Sequence, residues 1–74
     1  GANGGMLGDT AILTSIKSQF ATNGIFGTNV DVKNGEVTIT GEVDNALEKS
    51  KAEEIARKTS GVKSVKNQLT IKRK

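Results

Sequence analysis

Asn34-Gly35 separates two runs of alternating apolar and polar residues, 28 to 33 and 36 to 43, and it constrains the fold more than any other stretch of the chain. Asn-Gly is the dipeptide best suited to the two left-handed residues of a type I′ turn, whose twist matches that of the flanking strands. A two-residue loop also fixes register. Lys33 then faces Glu36, Val32 faces Val37, Asp31 faces Thr38 and Val30 faces Ile39. Val30, Val32, Val37 and Ile39 share one face, and Asn29, Asp31, Lys33, Glu36, Thr38 and Thr40 share the other. A one-residue slip would turn the valines to water. A lone hairpin is marginally stable, so the rest of the chain must cover its apolar face.

Upstream, Ile12, Ile16 and Phe20 recur at four-residue spacing with Leu13 beside them, which predicts an amphipathic helix over about 10 to 22. Asp9 or Thr10 is placed to cap its start, and Asn23-Gly24 to end it in the left-handed conformation that glycine tolerates. Ile25 and Phe26 follow in a loop between Gly24 and Gly27. Such a pair is expected to tuck into the core; the alternative is an exposed apolar tip that enters a membrane or a partner. Beyond the hairpin, Gly41 allows a bend or bulge before Val43. Asn45 and Glu48 have capping-box spacing, with Asp44 as a competing cap. Leu47, Ala52, Ile55, Ala56 and Thr59 then form a narrow stripe, predicting a second helix over 45 to 59. Lys49 with Glu53 and Glu54 with Lys58 are spaced for ion pairs on that helix. Ser60-Gly61 closes it. In a third strand, Val65, Asn67, Leu69 and Ile71 point one way and Lys66, Gln68, Thr70 and Lys72 the other. Asn67 breaks the apolar face, and calls for backbone hydrogen bonds there.

A single helix between the second and third strands implies a parallel pair with a right-handed crossover. The expected fold is therefore α+β: a two-layer α/β sandwich in the order α-β-β-α-β, with two helices on one face of a three-stranded mixed sheet in the order 1-2-3. The opposite face is polar enough to meet water. Lys66 and Lys72 would guard the third strand's edge against further pairing. Residues 1 to 8 read as a flexible Gly-rich leader, 9 to 72 as the single domain and 73 to 74 as a basic tail.

At 74 residues with no Cys and no His, the chain has neither staples nor the commonest general base and metal ligand. Its net charge of +3 is unevenly spread. All eight acids lie in residues 1 to 54, against four lysines there, whereas residues 55 to 74 hold Arg57, Lys58, Lys63, Lys66, Lys72, Arg73 and Lys74 and no acid. Such a split suits an anionic partner; it also suits a plainly solvated surface with basic groups near a helix C-terminus. No apolar run reaches the roughly 20 residues that span a bilayer, and no signal peptide is read in this stretch; either the native protein is soluble and lacks one or this is a mature or excised domain, and an excised domain of a longer exported protein is the favoured expectation.

The stretches Val30-Asp-Val-Lys-Asn-Gly-Glu-Val-Thr-Ile-Thr-Gly-Glu-Val43, Ala52 to Ala56 and Gly61-Val62-Lys63-Ser64-Val65-Lys66-Asn67-Gln68-Leu69-Thr70-Ile71 resemble the BON domain, over about residues 9 to 72. The resemblance implies the same two helices on a three-stranded sheet. It also implies a periplasmic or envelope-associated setting, in a family that often carries tandem copies and has been linked to phospholipid binding, envelope integrity and osmotic stress. The matching positions are structural glycines and core residues, none a functional group. The chain has no second copy and no lipobox cysteine.

Two roles follow as expectations. The first is a non-enzymatic envelope module that contacts anionic phospholipid through Lys63, Lys66, Lys72 and Arg73, with Arg57 and Lys58 if they face the same way, and Phe26 as an apolar foot. Each basic group near an anionic surface contributes about 1 kcal/mol. The alternative is a protein-interaction or spacer domain that docks a neighbouring domain or envelope protein through its open polar sheet face. The domain alone is expected to be a monomer. Nucleic acid is not expected, because Phe20 and Phe26 are the only aromatics, and Gly5-Met6-Leu7-Gly8 matches a G-x-x-G clamp only by letter. Neither cofactor nor metal is expected: Asp31, Glu42 and Asp44 lack the dense spacing of a calcium loop. Nor is catalysis, since no activated nucleophile or carboxylate pair is assembled.

Overall fold

In the computed structural model the described residues are 8–72. The leader, apart from Gly8, and the basic tail lie outside them. The elements follow in the expected order: α1 (Asp9–Thr22), β1 (Thr28–Lys33), β2 (Glu36–Val43), α2 (Ala46–Lys58) and β3 (Ser64–Ile71). The sheet order is β1-β2-β3, with β1 antiparallel and β3 parallel to β2. Each hairpin pairing set by the turn is present, from Lys33 opposite Glu36 to Val30 opposite Ile39. Asn34 (φ 53°) and Gly35 (φ 82°) adopt the left-handed pair that the turn requires.

Both helices lie on the apolar face. The core is Ile12, Ile16 and Phe20 of α1, Ile25, Val37, Ile39 and Val43 of β2, Ala52 and Ala56 of α2, and Leu69 of β3. Small residues on α2 let it sit close to the sheet, and the three large residues of α1 fill the space over β1. Between the helices, Gln19 Nε2 donates to Thr59 Oγ1 at 3.1 Å, and that hydroxyl donates to the carbonyl of Ile55 at 2.9 Å. The buried Thr59 side chain is thereby satisfied.

Local signals and observed geometry differ at several places. Asp9 does not cap α1, whose N-cap is Gly8 without a side-chain bond. As the first helical residue, Asp9 instead turns its carboxylate to the hairpin: Oδ2 accepts from Asn34 N at 2.8 Å and Oδ1 from Gly35 N at 3.1 Å. The two turn amides outbid the helix's own first turn because they approach as a pair that one carboxylate can bridge. At the other end α1 closes as expected, with Gly24 at φ 73°. Ile25 N donates to Phe20 O at 2.8 Å and Gly24 N to Ala21 O at 3.1 Å, the two bonds of a Schellman motif. That motif carries Ile25 into the core against Phe20.

Gly41 makes no bulge, since pairing runs unbroken on both of its sides. A Cβ there would collide with Gly27 O, at φ 116°, so the glycine serves close approach of the chain entering β1. In α2, Asn45 is the cap and accepts from Glu48 N at 2.9 Å, while Glu48 Oε1 reaches back to Asp44 N at 3.1 Å. Asp44 is thus a partner of the box rather than its cap. Glu53 pairs with Arg57 at 2.9 Å in place of the expected Lys49, and Glu54 pairs with Lys58 at 3.5 Å as expected.

Replacing Asp9 with Ala removes the bridge between α1 and the turn. It is expected to lower unfolding free energy by about 1–3 kcal/mol, with Asp9→Asn falling between, as measured by urea denaturation.

Candidate functional site

The basic residues of the C-terminal third are distributed by secondary structure. Arg57 and Lys58 lie in the last turn of α2 and are held by Glu53 and Glu54. Lys63 sits at the hairpin end of the sheet, where its backbone N donates to Gly35 O at 2.8 Å and its side chain covers Gly35. Lys66 stands on the open sheet face in the row of Thr38 and Asp31. Lys72 follows β3 at the opposite end, its Nζ 3.6 Å from Asp44 Oδ1. Arg73 lies outside the described residues. Alternation along β3 and the helix-to-strand connection send these groups to three separate regions, and Arg57, Lys58 and Lys72 each stand beside a carboxylate. Among the described candidates, Lys63 and Lys72 stand at opposite ends of the sheet and do not form one cationic patch.

The exposed apolar groups do share a region. Phe26 is 70% exposed, Leu47 74% and Ile71 44%. Phe26 precedes Gly27, whose carbonyl accepts from Glu42 N at 3.2 Å. Ile71 pairs with Val43, the last residue of β2. Leu47 lies in the first turn of α2, just beyond Val43 and its Asp44-Asn45 linker. All three therefore lie at the end of the sheet where β1 begins and β2 and β3 finish. Glu42, Asp44 and Lys72 are exposed there too. Beside Phe26, an open groove of about 180 Å³ runs between α1 and the start of β1, lined by Lys17, Phe20, Ala21, Ile25, Phe26 and Thr28.

Phe26 was paired with Ile25 in the sequence, and the Schellman geometry divides them: it buries Ile25 and faces Phe26 outward. Leu47 belongs to no stripe. At about 100° per residue it lies about 140° round the helix from Ala52, so its exposure could have been found by counting angles rather than apolar letters. Ile71 keeps its expected alternation but has outrun the helix that covers Leu69.

Asn67, the polar residue on the apolar face, is fully used. Its Nδ2 donates to Lys49 O at 3.0 Å and to Glu53 Oε1 at 3.3 Å, and its Oδ1 accepts from Leu69 N at 3.1 Å. It ties β3 to α2 as a structural link. Among the described residues no group of three or more acidic, His or Cys side chains is gathered to hold a metal ion, and no helix is long and apolar enough to cross a membrane.

The BON domain family model matches residues 8–73. This chain is a BON domain. It is 38% identical over 71 residues to osmotically-inducible protein Y of Escherichia coli (strain K12), covering 92% of this chain and 35% of that protein. It is 39% identical over 64 residues to an uncharacterized protein in the gshII 5′ region of Anaplasma centrale, covering 85% of this chain and 42% of that one. The BON chain thus spans well under half the length of these relatives. Among solved structures, the C-terminal domain of CdsD, the structural protein of the type III secretion system of Chlamydia trachomatis, has a TM-score of 0.77 at 19% identity, over 88% of this chain and 34% of that one. A second CdsD structure gives 0.78 at 20% identity, over 86% and 32%. Those likenesses show the fold: two helices on a three-stranded mixed sheet, as the BON resemblance implied.

Because Asn67 satisfies groups on two elements, Asn67→Ala is expected to cost about 1–3 kcal/mol. Asn67→Asp is expected to cost more, since it loses the donor and sets a carboxylate beside Glu53. Urea denaturation of both variants checks this.

Proposed function

We propose that this BON domain is a non-enzymatic docking module of the bacterial envelope, acting in the periplasm or at the envelope surface, where it seats a neighbouring domain or an envelope protein. The observation that carries the reading is the gathering of Phe26, Leu47 and Ile71 at one end of the sheet, outside a core with few large apolar residues to spare. An apolar group of this kind with Glu42, Asp44 and Lys72 around it has the composition of a protein interface, apolar inside and polar at the rim. The docking site is placed at this end rather than on the open sheet face, whose exposed side chains are polar. Relation to an osmotically inducible protein supports a role in the envelope under osmotic stress, and the CdsD fold, found in a structural protein, supports a spacer or docking role.

Contact with anionic phospholipid is the second reading. What favours it is the groove beside Phe26, where Lys17 is the one charged residue between positions 10 and 30. What weakens it is that Lys63 and Lys72 stand at opposite ends of the sheet and that Glu42 and Asp44 would meet an anionic surface unfavourably.

Photo-crosslinking residues at 26, 47 and 71 in the full-length protein, produced in its own cells, test the two readings. A protein adduct at these positions, absent from position 66 on the open face, is expected. Phe26→Asp with Leu47→Asp should weaken partner binding by about tenfold or more while leaving the fold intact. If anionic vesicles, and not zwitterionic ones, shift the amides around Lys17 and Phe26, and salt reverses the shift, the lipid reading replaces docking. If neither adduct nor shift appears, both readings fail.

A further inference from the structure

The two edges of the sheet are not equivalent. Lys72 N donates to Val43 O, so the even-numbered residues of β3 bond to β2 and the odd-numbered ones turn their main-chain groups outward. On that outer side Leu69 N is taken by the Asn67 side chain, which is itself anchored on α2. The β3 edge also carries Lys66 with no acid in the strand, so two such edges would repel. It is the better guarded edge.

Among the described residues the β1 edge is open. The two-residue turn makes Lys33 and Glu36 a hydrogen-bonded pair, and Glu42 N bonds to Gly27 O at the other end. Residues 27, 29, 31 and 33 therefore bond inward, and Thr28, Val30 and Val32 point their N–H and C=O groups away from β2. Among the described residues β1 has no second strand beside it. Nor, among the described residues, does a side chain cross its edge to take these groups, as Asn67 does on β3. Val30 and Val32 are half-buried, packed on the core from one side only. The strand has Asp31 and Lys33, one charge of each sign, in place of the like charges that would keep copies apart.

In place of the monomer expected from the sequence, we infer that β1 is a self-pairing edge: two copies of this chain join antiparallel through β1 into a six-stranded sheet centred on Val30. Charge and hydrogen bonding select that register. Centring on Asp31 sets two carboxylates face to face. Centring on Val32 requires Asn34 N, which Asp9 already holds. Centring on Val30 pairs Thr28 with the partner's Val32 and Val30 with the partner's Val30, using every outward group of both strands for about six main-chain bonds. Asn29 then lies opposite the partner's Asp31 at two places. The valines gain cover on their open flank. This surface is separate from the apolar end, so it stands or falls independently of the docking role.

Sedimentation of the chain from micromolar to about 1 mM, with amide shifts followed over the same range, tests the inference. Dimer formation is expected, with shifts largest at Thr28, Val30 and Val32. Val30→Pro removes an outward N–H while sparing the β2 ladder, and should keep the chain monomeric. Should that variant fail to fold, the surface substitutions at position 29 decide. Asn29→Lys places opposite charges across both rows and should tighten the dimer, whereas Asn29→Asp places carboxylates together and should weaken it, each by about threefold or more. A chain that stays monomeric to about 1 mM overturns self-pairing and leaves the edge to a strand from another protein. Shifts concentrated on β3, or two position-29 variants that act alike, overturn it as well.

Discussion

One carboxylate bridges the two layers of this domain. Asp9 lies at the start of α1, and its two oxygens hold the amides of Asn34 and Gly35 at the tip of the hairpin. Those amides belong to a left-handed turn, where the neighbouring strand residues are already paired and nothing else in the turn can accept from them. With the turn fixed, the hairpin register is fixed, and with the register, the side of the sheet on which the valines stand. Where α1 begins then follows. From Asp9, the four-residue spacing of Ile12, Ile16 and Phe20 places each over the apolar side of β1 and β2. The Schellman motif after Thr22 returns the chain to the start of β1 with Ile25 as the last core residue.

A chain of this size has little freedom in how it spends apolar surface. Among the described residues ten apolar ones make the buried core, and the two alanines of α2 do their part by being small. Against that economy, Phe26, Leu47 and Ile71 on one end of the sheet stand out. On our proposal they form the docking surface, whereas alternation along a strand and ion pairing along a helix disperse and compensate the more abundant lysines. Exposed pairs of that kind contribute little to stability, about 0–1 kcal/mol each, and serve chiefly to keep the surface solvated.

Most of the fold was legible because its signals were local and mutually consistent. Asn34-Gly35 gave register, Gly24 the end of α1, Asn45 with Glu48 the start of α2, and the single intervening helix the parallel pairing of β3. Legibility failed where two local options competed and a distant partner decided. Asp9 was within reach of its own helix and of a turn 25 residues away, and the turn prevailed. Glu53 had Lys49 on one side and Arg57 on the other. Gly41 carried the mark of irregular backbone, yet its cause, the carbonyl of Gly27 across the strand, lay in another segment. For the candidate site the charge count was legible, and whether the basic residues share a face was left open. Three-dimensional grouping depends on which face each lysine takes, whereas composition records only that the last twenty residues contain no acid. Leu47 was recoverable from helical angle alone.

The register is locked at the turn, and among the described residues one sheet edge is guarded and the other open. Residue-resolved native-state hydrogen exchange in dilute solution measures this directly. Strong protection is expected at Asn29, Asp31 and Lys33, at the Asn34 and Gly35 amides held by Asp9, and at Leu69 held by Asn67, with fast exchange at Thr28, Val30 and Val32. Protection of the opposite parity along β1, or turn amides that exchange as freely as those of Thr28 and Val30, would contradict it.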